Sequence, residues 1–401
     1  MKVITTDSCY VIVDKINNRA IKIVNSYWMK KCPWIIKNEV RALTRLADSI
    51  HFPNLISYDE NSITTEYAGA VATASKYIKN PTNNLDVREF VEIPDDFEEQ
   101  VNVILDELGK ANLRHSDING GHFLIKDGIV KLIDFELCLE FGEPEPKNYM
   151  QTQGIEAKTR NIDEPIDDRL MAHRTIQRFK GGINKINNLL GTLPNRLQYH
   201  ELPFNLIQKA NRGYLKERIK MFKEVYDFKN KKGLDLGCNI GGITFSLAIN
   251  GAKMTGVDVK PKSIEIANAC EEYYGLNTKF IENNIVDFCL KDTKIRNDMD
   301  IEHYDFCVFV ATWHWVLKQE GLKKATEVLN KVSEKCDVMF FETNFGHEEG
   351  LTGSEETMVE AGLNSEAKLI DFIIKNTKYN KVENIGNCIG WANRPTFMCS
   401  K

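Results

Sequence analysis

A glycine-rich turn in the middle of the chain follows an apolar strand and precedes a helix. Residues 233–242 read GLDLGCNIGG, and a helical pattern with Ile243, Phe245 and Leu247 follows. Glycine at such a turn lets the backbone approach a ligand, because no Cβ is in the way. The first turn of the helix also offers N–H groups that have no partner within the helix. An open α/β sheet binds nucleotides at this place, so the sequence predicts a nucleotide-binding α/β domain.

Two further strands predict how the nucleotide is bound. The run Ala252–Val257 ends in Asp258, which lies 23 residues after Asp235. An acid at this distance and position can accept hydrogen bonds from both hydroxyl groups of a ribose. A third run, Thr278–Ile281, leads to Asn284, which is suited to the edge of an adenine ring.

The fourth strand, Asp305–Val310, opens into a loop where a substrate pocket would lie. His314 in this loop is a candidate catalytic residue that can deprotonate a hydroxyl group, because an unperturbed imidazole titrates near neutral pH. The neighbouring Trp313 and Trp315 can form an apolar or sugar-stacking wall. In the alternative interpretation, all three side chains pack against the edge of the sheet.

The turn, the ribose acid and the fourth-strand loop together resemble the class I S-adenosylmethionine-dependent methyltransferase family. The turn reads D-x-G-x-x-x-G-G, which differs from the G-x-G-x-x-G of nicotinamide-binding dehydrogenases. The resemblance implies S-adenosylmethionine as the cofactor, and a Rossmann-like domain without a cofactor is the alternative. It implies that Asp258 binds the ribose and Asn284 the adenine, and that the methionine end lies at Asp235, Gly237 and Gly241.

A helix upstream of the glycine turn carries a further candidate. Residues 212–214 read RGY, and Arg218 follows one turn later. Sugar-modifying members of the methyltransferase family use a helix with Arg and Tyr at this place to close over the cofactor. The resemblance therefore implies that Arg218 contacts the cofactor, and a plain surface charge is the alternative.

Four short motifs stand in order in the N-terminal part of the chain. Lys22 lies in the sequence RAIKIV, and Glu39 follows 17 residues later at the beginning of an amphipathic helix. Residues 115–122 read HSDINGGH, and residues 131–136 read KLIDFE. In content and order these motifs resemble the protein-kinase-like family. The resemblance implies that Lys22, paired with Glu39, holds the phosphates of ATP, that Asp117 orients the attacking hydroxyl, and that Asp134 and His122 hold magnesium.

The same region departs from protein kinases at several positions. No glycine-rich loop precedes Lys22, His122 stands where the second metal ligand is usually Asn, and Glu136 replaces the last glycine of the D-F-G motif. These departures look like the lipopolysaccharide and small-molecule kinases. Three interpretations stay open: an active kinase that uses ATP and magnesium, an inactive domain that binds ATP or regulates, and a chance resemblance.

The motifs divide the chain into two predicted domains. Residues 1–180 are expected to form an α+β kinase-like domain, and residues 206–401 an α/β Rossmann-like methyltransferase domain. Residues 181–205 are rich in turn residues and are expected to be a connector. Within the first domain, the local pattern predicts strands at Cys9–Asp14 and Arg19–Val24 and a helix at Asp168–Phe179.

The pairing of these two domains is similar to the bifunctional methyltransferase/kinases that terminate O-antigen polysaccharide chains. In that family the methyltransferase precedes the kinase and a coiled coil follows, whereas here the order is reversed and no sustained heptad pattern is seen. The resemblance implies that a glycan or a small hydroxylated molecule is phosphorylated and methylated. A methyltransferase joined to an inactive or regulatory domain is the alternative.

Composition and charge limit the partners and the compartment that the sequence predicts. The formal net charge of −5 gives no reason to expect an obligatory nucleic-acid partner, and the N-terminal residues lack the apolar core of a secretory signal. The longest apolar run, Cys307–Ala311, is too short to cross a membrane. The ten cysteines are scattered without zinc-site spacing. A cytoplasmic enzyme is therefore expected.

Overall fold

The computed structural model describes residues 1–6, 8–73, 90–143, 167–193, 202, 215–290, 303–343, 355–388 and 394–401. Contacts divide the chain into an N-terminal unit that ends at Gly182 and a C-terminal unit that runs from Ile183 to Lys401. No helix within the described ranges combines the length and the apolar character that a membrane span requires.

Five antiparallel strands form the first sheet of the N-terminal unit, in the order β1-β2-β3-β5-β4. Lys22 lies on β3 opposite Val11 of β2 and Ile63 of β5, so the lysine side chain emerges between two apolar neighbours on one face of the sheet. The strands are β1 Lys2–Thr5, β2 Cys9–Asp14, β3 Arg19–Val24, β4 Leu55–Tyr58 and β5 Ser62–Glu66.

Two helices lie between β3 and β4 in the chain. Helix α1, Ser26–Lys31, begins at Asn25, whose side chain accepts a hydrogen bond from the backbone N–H of Trp28. Helix α2, Ile35–Arg45, buries Ile35, Ala42 and Leu43 in the core of the unit. Glu39 lies on the same buried face of α2, and this placement brings a carboxylate into the interior.

The remaining described residues of the N-terminal unit form short strands and two longer helices. A four-stranded sheet has the order β10-β9-β6-β7, and β8 pairs with β11. A 3₁₀ turn, Gly120–His122, precedes β9, and Phe135–Leu137 form a second 3₁₀ turn after β10. The elements are β6 Ala70–Thr73, β7 Phe90–Glu92, α3 Phe97–Lys110, β8 Leu113–Arg114, β9 Phe123–Lys126, β10 Ile129–Leu132, β11 Leu139–Glu140 and α4 Asp168–Phe179.

A seven-stranded sheet forms the centre of the C-terminal unit. Its order is β14-β13-β12-β15-β16-β18-β17, with parallel pairing from β14 to β16 and antiparallel pairing at β18 and β17. The strand order reverses at β12, and the crevice beside this strand is where such sheets bind ligands. The strands are β12 Lys232–Leu236, β13 Lys253–Asp258, β14 Lys279–Glu282, β15 Tyr304–Val310, β16 Cys336–Glu342, β17 Lys381–Cys388 and β18 Arg394–Ser400.

Both faces of this sheet are covered, as the hydrophobic content of its central strands requires. On β15, Cys307 and Phe309 face one hydrophobic core, and Phe306 and Val308 face the other. The described helices of the unit are α5 Gly182–Gly191, α6 Leu215–Val225, α7 Gly242–Ile249, α8 Pro261–Tyr274, α9 Ile285–Leu290, α10 Trp313–Lys335 with a break at Gly321, α11 Glu355–Glu360 and α12 Glu366–Asn376. The predicted Rossmann-like fold of the second domain is confirmed.

The predicted connector contains a helix that packs on the C-terminal unit. Ile186 and Leu190 of α5 are buried in one cluster with Phe245 of α7 and Tyr274 of α8. Turn residues at both ends of α5 concealed this helix in the sequence. Within the described residues, the C-terminal unit therefore begins upstream of the expected boundary at residue 206.

Candidate functional site

The glycine turn after β12 adopts a backbone that favours glycine. Gly237 has a φ of 84° and Gly241 a φ of 90°, both in the left-handed region. A Cβ on Gly237 would lie 2.4 Å from Oγ1 of Thr312, the residue that precedes α10. The turn therefore runs directly against the loop that follows β15, and this close contact shapes the crevice at the carboxyl end of β12.

Asp258 lies at the end of β13 with its carboxylate oriented by the backbone. Oδ2 accepts a hydrogen bond from the N–H of Asn239 at 2.9 Å, and Oδ1 accepts one from the N–H of Lys260 at 2.9 Å. The first of these bonds joins the acid to the glycine turn. Each carboxylate oxygen has lone pairs left for a further donor, as a ribose diol would require.

Asp235 lies one strand away and is buried. Oδ2 of Asp235 accepts a hydrogen bond of 2.6 Å from Oγ1 of Thr244, on the helix that follows the turn. Burial raises the pKa of Asp235 to about 7. The hydrogen bond from Thr244 favours the ionised form but is outweighed. Near neutral pH this acid therefore shifts between a neutral and a charged state.

Arg218 is buried and is not a plain surface charge. Its Nη2 lies 2.8 Å from Oε2 of Glu342, and each of the two side chains is only 3% exposed. Oγ1 of Thr396 also donates to Oε2 of Glu342, at 3.4 Å. Sequence reasoning did not single out Glu342, although an acid at the end of an apolar strand, CDVMFFE, was a usable signal. The RGY residues 212–214 lie outside the described residues.

Asn284 directly precedes α9. Its Oδ1 accepts a hydrogen bond of 2.8 Å from the backbone N–H of Val286 in the first turn of that helix. The side chain therefore caps the N-terminus of α9. A contact between Asn284 and adenine stays a prediction.

Trp313, His314 and Trp315, which the sequence placed in a loop, form the beginning of α10, and their surroundings differ. Trp313 is fully buried among apolar side chains and donates from Nε1 to the carbonyl of Ala325 at 3.0 Å, so it is a core residue. Trp315 is 37% exposed, with Nζ of Lys318 located 5.6 Å from the ring centroid. His314 is 3% exposed, and its Nδ1 lies 3.4 Å from Oγ1 of Thr343. The assignment of His314 as a base stays a prediction.

This part of the C-terminal unit fits a nucleoside with a cationic methyl-donor group. The glycine turn brings backbone close to the crevice, and Asp258 and Asp235 supply acceptors and negative charge. The side-chain oxygen of Asn239, a buried residue of the turn, has no hydrogen-bond partner among the described residues. A bound S-adenosylmethionine would supply the donors and the positive charge that such an arrangement can accept.

In the N-terminal unit, three carboxylates converge on one lysine. Nζ of Lys22 contacts Oε1 of Glu39, lies 2.7 Å from Oδ1 of Asp134 and lies 2.6 Å from Oε1 of Glu136. Oxygen atoms of the three acids all lie within 4.8 Å of one another and could hold a metal ion. We call this group of four side chains the Lys22 cluster.

The charges of the Lys22 cluster shift one another's titration. Burial opposes the charge of Lys22, but the carboxylates of Asp134, Glu39 and Glu136 raise its pKa well above the ordinary value. Burial raises the pKa of Glu39 to about 7, in spite of the ammonium beside it. Burial would also raise the pKa of Asp134, yet Lys22 and His122 hold it well below its usual range. Asp134 is therefore the most firmly ionised of the three acids.

His122, the second predicted metal ligand, contacts Asp134 directly. Its Nε2 lies 3.2 Å from Oδ2 of Asp134, and its Nδ1 lies 2.7 Å from the carbonyl oxygen of Asp117. Burial would lower the pKa of His122, but Asp134 raises it. The structure thus joins the motif at residues 115–122 to the motif at residues 131–136. The magnesium assignment itself stays a prediction.

Asp168, at the beginning of α4, fixes the loop that carries Asp117. Its Oδ2 accepts a hydrogen bond of 2.6 Å from the N–H of His115, and its Oδ1 accepts one of 2.8 Å from the N–H of Ser116. Ser116 has a φ of 67°, so the loop is held in a left-handed conformation that few residues adopt freely. Sequence reasoning missed Asp168. The pair of acids at residues 167 and 168 was the available signal, because Asp167 alone caps the helix.

Three comparisons with known proteins give matches to parts of the chain. A family model described as a methyltransferase domain matches residues 227–352. A curated relative, the "Putative ribosomal RNA large subunit methyltransferase" of Methanocaldococcus jannaschii, is 26% identical over 198 residues, which are 47% of each protein. The chain thus spans about half the length of the curated relative that it matches.

Solved structures give weaker likenesses. The bifunctional kinase-methyltransferase WbdD is 19% identical with a TM-score of 0.45, over 54% of this chain and 46% of that chain. The N-terminal domain of EvdMO1, solved with SAH bound, is 13% identical with a TM-score of 0.38, over 60% of this chain and 99% of that chain. The family match and the Rossmann-like sheet together identify the C-terminal unit as an S-adenosylmethionine-dependent methyltransferase domain of class I.

Proposed function

We propose that this chain modifies a glycan or a small hydroxylated molecule in two steps. The N-terminal unit transfers a phosphoryl group from magnesium-bound ATP to an acceptor hydroxyl, and the C-terminal unit methylates the same acceptor. The first step rests on one observation, which is the convergence of Glu39, Asp134 and Glu136 on Lys22.

That convergence supports nucleotide chemistry because it assembles distant parts of the chain. Lys22 comes from a central strand, Glu39 from the buried face of a helix, and Asp134 from a turn where its φ is 71°. Isolated buried acids are strongly disfavoured unless they are paired or bind cations. A group of three acids with one lysine therefore fits a site that binds a divalent cation and phosphates together.

The motif residues of this unit each have a proposed role in phosphoryl transfer. Lys22, braced by Glu39, neutralises phosphate oxygens, and Asp134 with His122 holds magnesium. Asp117 orients the attacking hydroxyl, on a loop that Asp168 fixes through two backbone N–H groups. Phosphoryl transfer depends mainly on positioning and charge neutralisation, so these residues suffice as its protein part.

In the methyl-transfer step, the chain's contribution is mainly binding and orientation. Asp258 binds the ribose, the turn from Gly237 to Gly241 holds the methionine end, and Arg218 supports this region through Glu342. The bound cofactor supplies a methyl group on a sulfonium. Transfer to an anionic phosphate oxygen requires in-line positioning and no base. His314 would take a proton only if the acceptor is a neutral hydroxyl.

Mass spectrometry of product mixtures tests both halves. Candidate glycans are incubated with magnesium and ATP, with S-adenosylmethionine, and with both, and the products are examined for phosphoryl and methyl groups. Transfer from ATP by the parent that is lost in Asp117→Ala supports the kinase step. Equal transfer by Asp117→Ala would rule it out. The methyl step is tested separately with Asp258→Ala, which is expected to lose cofactor binding.

A second candidate is a methyltransferase whose N-terminal unit binds ATP or regulates without transferring phosphate. Glu136 favours it, because this acid stands where the kinase motif has glycine and contacts the ammonium that should hold phosphates. Magnesium-dependent ATP binding without hydrolysis or transfer would support this candidate. Glycan phosphorylation that depends on Asp117 would exclude it.

A third candidate is methylation of RNA. The curated relative's name favours this acceptor. The net charge of −5 argues against it, since RNA-binding surfaces are usually basic. RNA binding that weakens steeply as salt increases would support this candidate, because released counterions dominate such binding. Methylation of glycans but not of RNA would exclude it.

A further inference from the structure

Asn239, in the middle of the glycine turn, has an unusual combination of properties. Its φ is 52°, in the left-handed region, and only 8% of the residue is exposed. Its backbone N–H donates to Oδ2 of Asp258, the acid at the end of the neighbouring strand. Its side-chain Oδ1 finds no hydrogen-bond donor in the part of the chain that the structure describes.

A buried carbonyl oxygen without a donor requires an explanation. Native proteins satisfy nearly all buried polar atoms, because the lost hydrogen bond to water is otherwise not replaced. A φ of 52° suits asparagine, as the similar φ values of Asn230 and Asn277 illustrate, but it does not account for a buried amide oxygen without a donor. The side-chain amide is therefore the part of Asn239 that needs a function.

The surroundings indicate what chemical group would meet this oxygen. Burial raises the pKa of the neighbouring Cys238 thiol, and the carboxylates of Asp235 and Asp258 raise it further, so the turn lies close to two acids. An anionic ligand group would be repelled by these two acids. An N–H or O–H donor would be attracted, and a cationic donor most strongly.

We infer that Asn239 is a further binding residue for the methyl donor, and that its Oδ1 accepts a hydrogen bond from an N–H or O–H group of that molecule. S-adenosylmethionine carries two suitable groups, an ammonium and the ribose hydroxyls. The inference rests on the cofactor placement proposed above, and it adds a side-chain contact to a turn whose glycines were expected to contribute backbone alone.

Calorimetric titration of the protein with S-adenosylhomocysteine tests the inference, and Asn239→Gly compared with a matched control isolates the amide. Asn239→Gly removes the oxygen without backbone strain. It is expected to weaken binding at least about tenfold if the donor is the ammonium, and about threefold to tenfold if the donor is a ribose hydroxyl. The thermal unfolding of the ligand-free Asn239→Gly protein should match the parent.

Asn277→Gly is the matched control. Asn277 has a φ of 57° in the same unit but is exposed, so this change reproduces the backbone effect without touching the crevice. It should leave binding unchanged. If Asn239→Gly binds the ligand like the parent, or weakens binding only in proportion to a loss of ligand-free stability beyond that of Asn277→Gly, the inference is wrong.

A second ligand separates the two donor groups. 5′-Methylthioadenosine retains the ribose and adenine but has no ammonium. If Asn239→Gly binds both ligands more weakly, a ribose hydroxyl is the donor. If it binds only S-adenosylhomocysteine more weakly, the ammonium is the donor. If the parent binds neither ligand, both the proposed cofactor site and the inference are wrong. If the parent binds and Asn239→Gly binds equally well, only the inference is wrong.

Discussion

Each unit of the molecule places a cation against carboxylate away from bulk water, but the two units balance charge differently. In the N-terminal unit, Lys22 contacts three acids, so its single charge cannot neutralise them all. In the C-terminal unit, Arg218 and Glu342 form a pair of equal and opposite charge at 2.8 Å. Even with His122 beside Asp134, the Lys22 cluster has more carboxyl groups than neighbouring cations, and the Arg218–Glu342 pair has no such excess.

The difference separates a site that is prepared for a ligand from a contact that supports one. Carboxylates in excess of cations are unfavourable away from water unless a further cation or a proton binds to them. The raised pKa of Glu39 and Glu136 reflects this unfavourable free energy. A balanced pair needs nothing further. Asp235, near the pair, avoids excess charge in the same way as Glu39, by holding a proton near neutral pH.

The largest expected effect comes from breaking the balanced pair. Glu342→Ala leaves the guanidinium of Arg218 buried without its carboxylate, and we expect a loss of about 3–5 kcal/mol in the unfolding free energy of the C-terminal unit. Thermal and urea unfolding of the full chain measure this loss, with the relevant transition identified by its shift on adding S-adenosylhomocysteine.

Glu383→Ala is the control for this prediction. Glu383 pairs with Lys381 at 2.8 Å in the same unit, but both side chains are largely exposed, and such a pair contributes at most about 1 kcal/mol. Equal losses in the two variants would contradict the view that the Arg218–Glu342 pair is a buried support.

The next largest effect concerns the pH dependence of Asp235. Because folding raises its pKa to about 7, the folded state binds this proton more tightly than the unfolded state. The stabilisation is complete below about pH 4 and is lost as the pH rises towards about 7. The free energy of unfolding falls by up to about 4 kcal/mol over this range. Asp235→Asn should lack this loss, so the difference in stability between variant and parent should change in favour of the variant from pH 5 to pH 8. Parallel stability curves would refute the raised pKa.

The sequence was most informative where a site is built from one continuous stretch. The turn at Gly237 and Gly241 and the acid at Asp258 could be predicted because strand, turn and helix follow one another directly, and period and glycine spacing indicate each of them. The strands Cys9–Asp14 and Arg19–Val24 and the helix Asp168–Phe179 were predicted with the bounds that the structure has. In these segments local preference and final fold agree.

The sequence was least informative where contacts span long separations. Glu342 lies 124 residues from Arg218, and no local pattern connects them. Asp168 contacts a loop 52 residues away through backbone groups that every sequence possesses. Trp313 illustrates a different limit, because an aromatic residue after a strand can equally enter a pocket or the core. Only the packed structure decides between these.

A smaller effect tests the excess charge around Lys22. Among the described residues, Lys22 is the cation that contacts all three acids. Lys22→Met removes it, and we expect at least about tenfold weaker binding of magnesium-bound ATP, because a phosphate partner is lost. Calorimetry with ATP in magnesium buffer measures the change. Lys126→Met is the matched control, since Lys126 pairs with Glu66 at 3.1 Å elsewhere in the same unit. Unchanged affinity in Lys22→Met would remove the main support for a nucleotide site.

The smallest expected effect refines the account of Asp235. Thr244→Val keeps the shape of the side chain but removes the hydrogen bond of 2.6 Å that favours the ionised acid. The pKa of Asp235 should therefore rise further, and the parent's loss of stability with pH should move to higher pH, with a loss of about 1 kcal/mol under alkaline conditions. Thr326→Val, which removes an exposed bond to the carbonyl of Leu322, should leave the profile in place. A profile that moves to lower pH in Thr244→Val would show that this hydroxyl stabilises the protonated acid, and the contrast between a balanced pair and a protonated acid would then need a different cause.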